Sequence, residues 1–160
     1  MSDLVWKRGD MHMLAFGQKI DCSCNVRNLE NGWRQRDQVV FSTNADGSMG
    51  VPYSPQLFPV GLWKVGRPEV EIDPYLRPFF IPTNAHQLVE RWHIAERDKL
   101  VYVSGTGELV EDWAYGLHNS TSPTTLGCIR ISLFYELRRL VDDINKALDE
   151  GHDVTMEILA

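Results

Sequence analysis

Short segments rich in valine, tyrosine, tryptophan and phenylalanine recur through residues 1–117, and glycine, proline or asparagine separates them. β-Branched and aromatic side chains favour strands, whereas the separating residues favour turns, so this spacing predicts an all-β body. The predicted strands run from Met11 to Phe16, Lys19 to Val26, Gln38 to Ser42, Gly61 to Val70, Gln87 to Ile94, Leu100 to Val103 and Trp113 to His118.

Turn and loop signals lie between these strands. The Asn31-Gly32 pair predicts a hairpin turn, and residues 44–48 and 104–107 predict further turns. Proline removes a ladder donor, so we expect residues 52–59, with three prolines, to form a surface loop. Three more prolines among aromatic residues at 73–82 argue against a central strand. We expect an ordered loop there, which either packs its aromatic rings or walls a cleft.

One amphipathic helix is predicted near the C-terminal end of the sequence. Ser132 is a suitable N-cap, and Gly151 is a suitable terminator. Apolar residues recur between them at helical spacing on one face: Leu133, Leu137, Leu140, Val141, Ile144 and Leu148. Alternating residues from Asp153 to Leu159 predict a closing strand. Without repeats or a linker, we interpret residues 1–160 as one domain.

Composition excludes several classes of function. Hydrophobic residues make up 43% of the chain and charged residues 24%, as in ordinary globular proteins. A formal net charge of −6 argues against nucleic acid as a partner, because that interaction needs clustered Lys and Arg. No apolar stretch has the length of a transmembrane helix, and the first residues lack the apolar core of a signal peptide.

The cysteines and histidines do not predict a metal site. Cys22, Cys24 and Cys128 are odd in number, whereas a disulfide scaffold needs pairs. Cys22-Ser23-Cys24 has half of a metal-site spacing, but no matching Cys or His pair completes it. We therefore expect neither a metal nor another cofactor.

Residues 115–132 carry the strongest indication of chemistry. His118 offers a base, Cys128 a nucleophile, and Gly127 lets a substrate carbonyl approach backbone N–H groups. The polar loop between them can bring residues ten apart in sequence into contact. We expect His118 to lower the pKa of the Cys128 thiol, since the thiolate is the attacking species. From residue types alone, an inert buried cysteine remains an open alternative.

The segment Thr125-Leu126-Gly127-Cys128-Ile129-Arg130-Ile131 resembles the signature of the YkuD-like L,D-transpeptidases. In that signature Ser or Thr, any residue, Gly, Cys, an aliphatic residue and Arg or Asn follow a catalytic His. Residues 38–43 and 58–65 resemble earlier segments of the family in the same order. The loop between His118 and the cysteine motif is shorter than is usual there, and Leu126 stands where many members carry a second His.

The resemblance implies a β-sandwich or open barrel with one main helix after the cysteine motif. It also implies that Cys128 attacks a peptidoglycan stem peptide, with His118 as the base and an oxyanion site around Gly127. The implied outcomes are L,D-transpeptidation, L,D-carboxypeptidation or D-amino-acid exchange. Arg130 would meet a substrate carboxylate or form a structural ion pair. Other implied substrate contacts come from Thr125, Ser120 and Tyr115. No carboxylate is assigned to orient His118, because Asp112 is spaced too loosely.

Two rival interpretations remain. Papain-like peptidases also pair Cys with His, but they place Cys first and at a helix start, the reverse of this order. A non-catalytic cell-wall-binding or virion structural domain could keep the same fold. If the enzyme interpretation holds, the protein acts in the periplasm or cell wall, delivered by a phage or secretion route or with a trimmed leader. Whether it has an immunity or delivery partner stays open, and without such a route the expected location is the cytoplasm.

Overall fold

The computed structural model describes residues 2–24, 33–34, 40–43, 49–53, 56–70, 78–91, 93–96, 101–103, 106–113, 115–119 and 128–160. These residues form a mainly β protein, which confirms the predicted class. The strands are β1 Leu4–Lys7, β2 His12–Ala15, β3 Gln18–Ser23, β4 Trp33–Arg34, β5 Val40–Thr43, β6 Met49–Tyr53, β7 Gly61–Val65, β8 Glu69–Val70, β9 Phe79–Pro82, β10 Gln87–Glu90, β11 His93–Glu96, β12 Val101–Val103, β13 Leu109–Asp112, β14 Gly116–His118, β15 Ile129–Ile131 and β16 Val154–Leu159. The described part of the chain has one helix, α1, at Phe134–Asp149.

Nine strands form the main sheet, in the order β7-β16-β1-β2-β3-β15-β14-β9-β8. The sheet curls into a half-barrel, so that β7 at one edge meets β9 near the other. An isolated bridge joins Val65 to Thr83, and the Gly66 N–H donates to the Pro82 carbonyl at 2.8 Å. Smaller ladders form between β10 and β13, between β5 and β6, and among β11, β12 and β4.

Helix α1 packs on the concave side of this sheet. It contacts β9, β15 and β16, which are far apart in the strand order, and only the inside of a curl brings such strands to one helix. The buried apolar residues of the helix are Leu137, Leu140, Val141 and Ile144, and they join the core formed by β1, β2, β3, β9, β14, β15 and β16. The stripe predicted from the sequence is therefore a core-packing face.

The two ends of the helix differ in how well the sequence predicts them. Gly151 follows the C-terminus with φ of +79°, and its N–H donates to the Leu148 carbonyl at 3.0 Å, as in a glycine C-cap. The predicted N-cap at Ser132 is wrong. Leu133 occupies that position, and no side chain caps the helix. The Ser132 N–H instead donates to the Asp21 carbonyl at 2.9 Å, which keeps it with the sheet.

Strand β9 corrects the prediction that residues 73–82 exclude a central strand. Phe79–Pro82 lies inside the main sheet, between β8 and β14. Its proline stands at the last position of the strand, where a missing N–H costs the ladder little. Residues 71–77 lie outside the described residues. Strand β6 also includes a proline, within the segment predicted as a loop, and it pairs only with β5.

The other predicted strands are confirmed in position but are mostly shorter. The regions predicted at 61–70 and at 87–94 each form two strands. Strands β1, β4, β13 and β15 were not predicted as separate strands. The predicted turns at 31–32 and 44–48 lie outside the described residues, as does part of 104–107.

Gly116 permits a close approach between β14 and β9. A Cβ added at this position would meet the Ile81 carbonyl oxygen and lie 2.5 Å from Cζ of Phe80. No real Cβ tolerates such contacts, so either the strand or the phenylalanine ring would have to move. The glycine therefore fixes how closely these strands pack.

Gly116→Ala should lower the free energy of unfolding by about 1–3 kcal/mol, because overpacking strains a backbone neighbour. Thermal unfolding would measure this as a drop of roughly 3–10 °C for a domain of this size. Lys19→Ala, at an exposed position of β3, is the control and should stay within about 0.5 kcal/mol. Equal stability of the two variants would contradict the close approach.

Candidate active site

Strands β14 and β15 bring the two ends of the predicted site segment together. They pair in parallel, with Leu117 opposite Ile129 and His118 opposite Arg130. One step back, this register sets Gly116 opposite Cys128. Leu117 and Ile129 are fully buried in the core, so the alternate positions turn toward the other face of the sheet. The Cα atoms of His118 and Cys128 are thus about 8 Å apart, from a strand spacing of about 4.8 Å and a rise of about 3.3 Å per residue.

Cys128 is a half-buried thiol held against β14. Burial raises its pKa to about 12, and the charges of Cys24 and Asp112 act in the same direction. A hydrogen bond from the Gly116 backbone N–H lowers the pKa but does not offset burial. The prediction that His118 lowers this pKa is therefore not met by the described residues. Desolvation by burial, which the sequence does not show, is the reason that the pKa of the thiol is raised rather than lowered.

His118 is a buried, neutral imidazole. Its side chain is 4% exposed, and burial lowers its pKa to about 4, with the nearby charge of Arg130 acting in the same direction. No described residue gives Nδ1 a hydrogen-bond partner, although a buried ring nitrogen normally has one. In the tautomer that carries its hydrogen on Nε2, Nδ1 can accept a proton, which is what a general base requires.

Arg130, on β15, pairs with His118 of β14 on one side and with Ser23 of β3 on the other. Arg130 is half-buried, and its register position is on the same face of the sheet as that of His118. Its positive charge disfavours a second positive charge on His118, which explains part of the lowered histidine pKa. Arg130 therefore helps to keep the imidazole neutral, a role that the sequence did not predict.

Tyr115 is placed in the core, although the sequence analysis expected it to contact substrate. It is 2% exposed, and its ring meets Phe58 edge-on at 5.4 Å between centroids. Its hydroxyl donates a short hydrogen bond to Asp112 and accepts one from the Gln87 side-chain amide at 2.7 Å. Burial and the Asp112 hydrogen bond raise the tyrosine pKa, so the hydroxyl stays protonated. Tyr115 supports the site and does not line it.

Asp112 is a buried carboxylate that sequence spacing led us to set aside. It is 3% exposed and contributes to the raised pKa values of both Tyr115 and Cys128. The negative charge of Asp112 therefore acts on the Cys128 thiol of the candidate site. Asn119 also joins the site segment to the sheet, since its amide donates to the Ile131 carbonyl at 2.6 Å. The Asn119 contact and the effect of Asp112 on Cys128 had no sequence signal, because each joins residues more than ten positions apart, whereas the Asp112–Tyr115 hydrogen bond is local.

Three predicted site residues, Ser120, Thr125 and Gly127, lie outside the described residues. Of the earlier segments that resemble the family, residues 58–65 contribute the Phe58 contact to Tyr115. Residues 40–43 form β5, and residues 38–39 lie outside the description.

Neither a metal site nor a membrane span is found in the described ranges. No three His, Cys, Asp or Glu side chains there could hold a metal ion. No helix there is both long and apolar enough to cross a membrane. Cys22, Cys24 and Cys128 are thiols that do not form disulfides.

Comparisons with known proteins return no match for this chain among family models, curated proteins or solved structures.

Acid should destabilise the protein through His118. The folded pKa of about 4 lies below the ordinary 6.5, so the unfolded chain binds more protons between these values. Stability is then lost as pH falls from about 6.5 to 4, by about 3 kcal/mol in total. His118→Gln removes this titration, so urea unfolding from pH 7 to pH 4 should show a loss about 3 kcal/mol smaller. Parallel pH profiles for the two proteins would contradict the buried neutral imidazole.

Cys128 should react slowly with iodoacetamide in the native protein. At pH 8 a pKa of about 12 lowers the thiolate fraction about three orders of magnitude below that of an ordinary thiol. The greater nucleophilicity of a high-pKa thiolate recovers between one and two orders, which leaves a rate roughly a hundredfold slower. Peptide mass spectrometry would follow this, with the urea-unfolded protein as control. Equal rates in native and unfolded protein would show that the thiol is not held neutral.

Proposed function

We propose that this protein is a cysteine acyltransferase of the L,D-transpeptidase type, which acts on peptidoglycan stem peptides through a thioester on Cys128. The observation that carries the proposal is the β14–β15 ladder, which holds a thiol and a buried neutral imidazole two positions apart on neighbouring strands, with no partner for the ring Nδ1 among the described residues. The sequence resemblance around the cysteine supplies the substrate class. A metal has no part in the proposed reaction.

In the proposed reaction, the Cys128 sulfur attacks the carbonyl that links the diamino acid to D-alanine in a tetrapeptide stem. His118 accepts the thiol proton and then passes it to the amine of D-alanine, which leaves as the C–N bond breaks. The thioester is resolved by an amine of a second stem, by a free D-amino acid or by water. These three acceptors give transpeptidation, exchange and carboxypeptidation, respectively.

The pKa values constrain the order of these events. Burial disfavours both ions, since it raises the pKa of the Cys128 thiol and lowers the pKa of the His118 imidazole. A resting thiolate–imidazolium pair is therefore disfavoured before substrate binds. Proton transfer should accompany attack, when the developing oxyanion takes up the negative charge. Backbone N–H groups near Gly127 and Cys128 are the proposed donors to that oxyanion, worth about 3–4 kcal/mol each in other enzymes.

A second candidate is a non-catalytic cell-wall-binding or virion structural domain. The raised pKa of Cys128 favours it, because a buried neutral thiol is also what an inert core cysteine shows. The unpartnered His118 nitrogen favours the enzyme, since a purely structural histidine gains stability from a partner.

Cys128→Ala should abolish conversion of purified muropeptides, because the sulfur is the proposed nucleophile. Cys24→Ala is the matched control, since Cys24 is also a half-buried free thiol near the site, and it should keep most of the activity. Mass spectrometry would follow release of D-alanine and, in the wild-type protein, a transient mass increase on the Cys128 peptide.

His118→Ala should lower the rate of thioester formation by roughly a hundredfold or more, the usual contribution of a general base. Conversion by Cys128→Ala at the wild-type rate would refute the mechanism. Absence of any conversion or adduct in the wild-type protein would favour the non-catalytic domain.

A further inference from the structure

Three aromatic side chains outside the candidate active site lie in a row at the protein surface. The His86 ring stacks on Trp113, with centroids 4.4 Å apart and planes 23° apart. Trp63 meets His86 edge-on, with centroids 5.4 Å apart. Trp113 is 53% exposed. We call Trp63, His86 and Trp113 the aromatic platform.

The strands and nearby backbone fix this platform in place. Gln87 and Asp112 are paired between β10 and β13, and one further step sets His86 opposite Trp113. The Trp63 indole N–H donates to the Pro59 carbonyl at 2.9 Å. His86 Nδ1 lies 3.3 Å from a Glu111 carboxylate oxygen. Because the rings are positioned in advance, a ligand that stacks on them pays little ordering entropy.

The chemistry of the platform indicates what kind of ligand it would bind. A large aromatic ring left half-exposed loses the favourable burial that such side chains normally gain, and such rings recur at binding surfaces. A nucleobase would also stack, but the net charge of −6 and the adjacent Glu111 carboxylate oppose a phosphate backbone. An uncharged pyranose ring suits the site better. Its C–H groups can rest on the negative faces of the rings, while its hydroxyls reach Glu111 and the His86 ring nitrogens.

The platform is also close to the candidate active site. Gln87 and Asp112, the residues next to His86 and Trp113, both hydrogen-bond the buried Tyr115 hydroxyl, and the charge of Asp112 acts on the Cys128 thiol. The β10–β13 ladder therefore contributes both to the platform at the surface and to the buried contacts near the candidate active site. A sugar bound on the platform would therefore lie on the ladder whose neighbouring residues contact Tyr115, the residue next to Gly116 of the candidate site.

We propose that the aromatic platform binds the N-acetylhexosamine glycan of peptidoglycan, so that the protein acts on stems still attached to their glycan strand. The choice of this glycan rests on the proposed function, whereas the stacking of a neutral sugar rests on the platform alone.

The test uses the β-1,4-linked tetramer of N-acetylglucosamine as the probe and titration calorimetry as the measurement. The tetramer should bind saturably to the full chain and equally well to Cys128→Ala, which lacks the proposed nucleophile. Trp113→Ala should weaken binding roughly tenfold through the lost stacking surface, and Trp113→Phe should retain most of the affinity. Tyr135→Ala is the matched control, because it removes an exposed ring of the helix and should leave binding unchanged.

Each alternative result overturns one specific statement. No saturable binding up to about 10 mM, or equal binding by Trp113→Ala in a protein of unchanged thermal stability, refutes the platform as a sugar site. Binding of a proline-rich peptide or Trp113-dependent self-association, without sugar binding, also refutes it. If the tetramer binds as expected but muropeptides are never converted, the proposed function fails and the sugar site stands. If muropeptides are converted but the tetramer does not bind, the sugar site fails and the proposed function stands.

Discussion

The parallel ladder between β14 and β15 is the contact on which the rest of the structure depends. On one side of it lie β9 and β8, and on the other lie β3 and the strands that follow in the sheet. Without this ladder, the described contacts joining β14, β9 and β8 to the rest of the main sheet would reduce to the short meeting of β7 with β9, and α1 would lose the continuous curled surface on which it packs. The same ladder sets Gly116 against Cys128, so one short pairing fixes both the fold and the candidate site.

Burial determines the charge state of the site. The apolar surroundings that stabilise the sheet keep the Cys128 thiol and the His118 imidazole neutral, and Arg130 and Asp112 add to these shifts in opposite ways. A positive neighbour opposes a proton on the histidine, whereas a negative neighbour opposes its loss from the cysteine. The Cys128 thiol and the His118 imidazole are therefore both neutral. In the proposed reaction, charge develops only when a bound carbonyl can accept it.

The sequence predicted features that depend on local patterns. The helix stripe, the glycine at its end and the last strand all follow from periodicity and from glycine at a left-handed position. The interior strand Phe79–Pro82 was missed because proline content was given more weight than proline position. The sequence predicts Ser132 as the helix N-cap, because nothing in it shows that the Ser132 N–H donates to the Asp21 carbonyl of β3.

For the site, the short polar loop correctly suggested that the segments of His118 and Cys128 lie side by side. The direction of the Cys128 pKa could not be predicted, because it comes from burial and from charges that include Asp112, a residue distant from it in sequence. The Asp112–Tyr115 hydrogen bond is local, but residue spacing alone did not indicate it.

The pairing of β1 with β16 has a consequence for how the chain acquires its structure during synthesis. Leu4 pairs with Met156, and the Asp3 carboxylate accepts the Thr155 N–H at 3.0 Å, so one neighbour of β1 is translated about 150 residues after it. β1 can pair with β2 early, but its other edge stays open until β16 has left the ribosome. An open edge of this kind invites pairing with other nascent chains. The slow closure of a loop of about 150 residues should therefore limit the folding rate more than helix formation does.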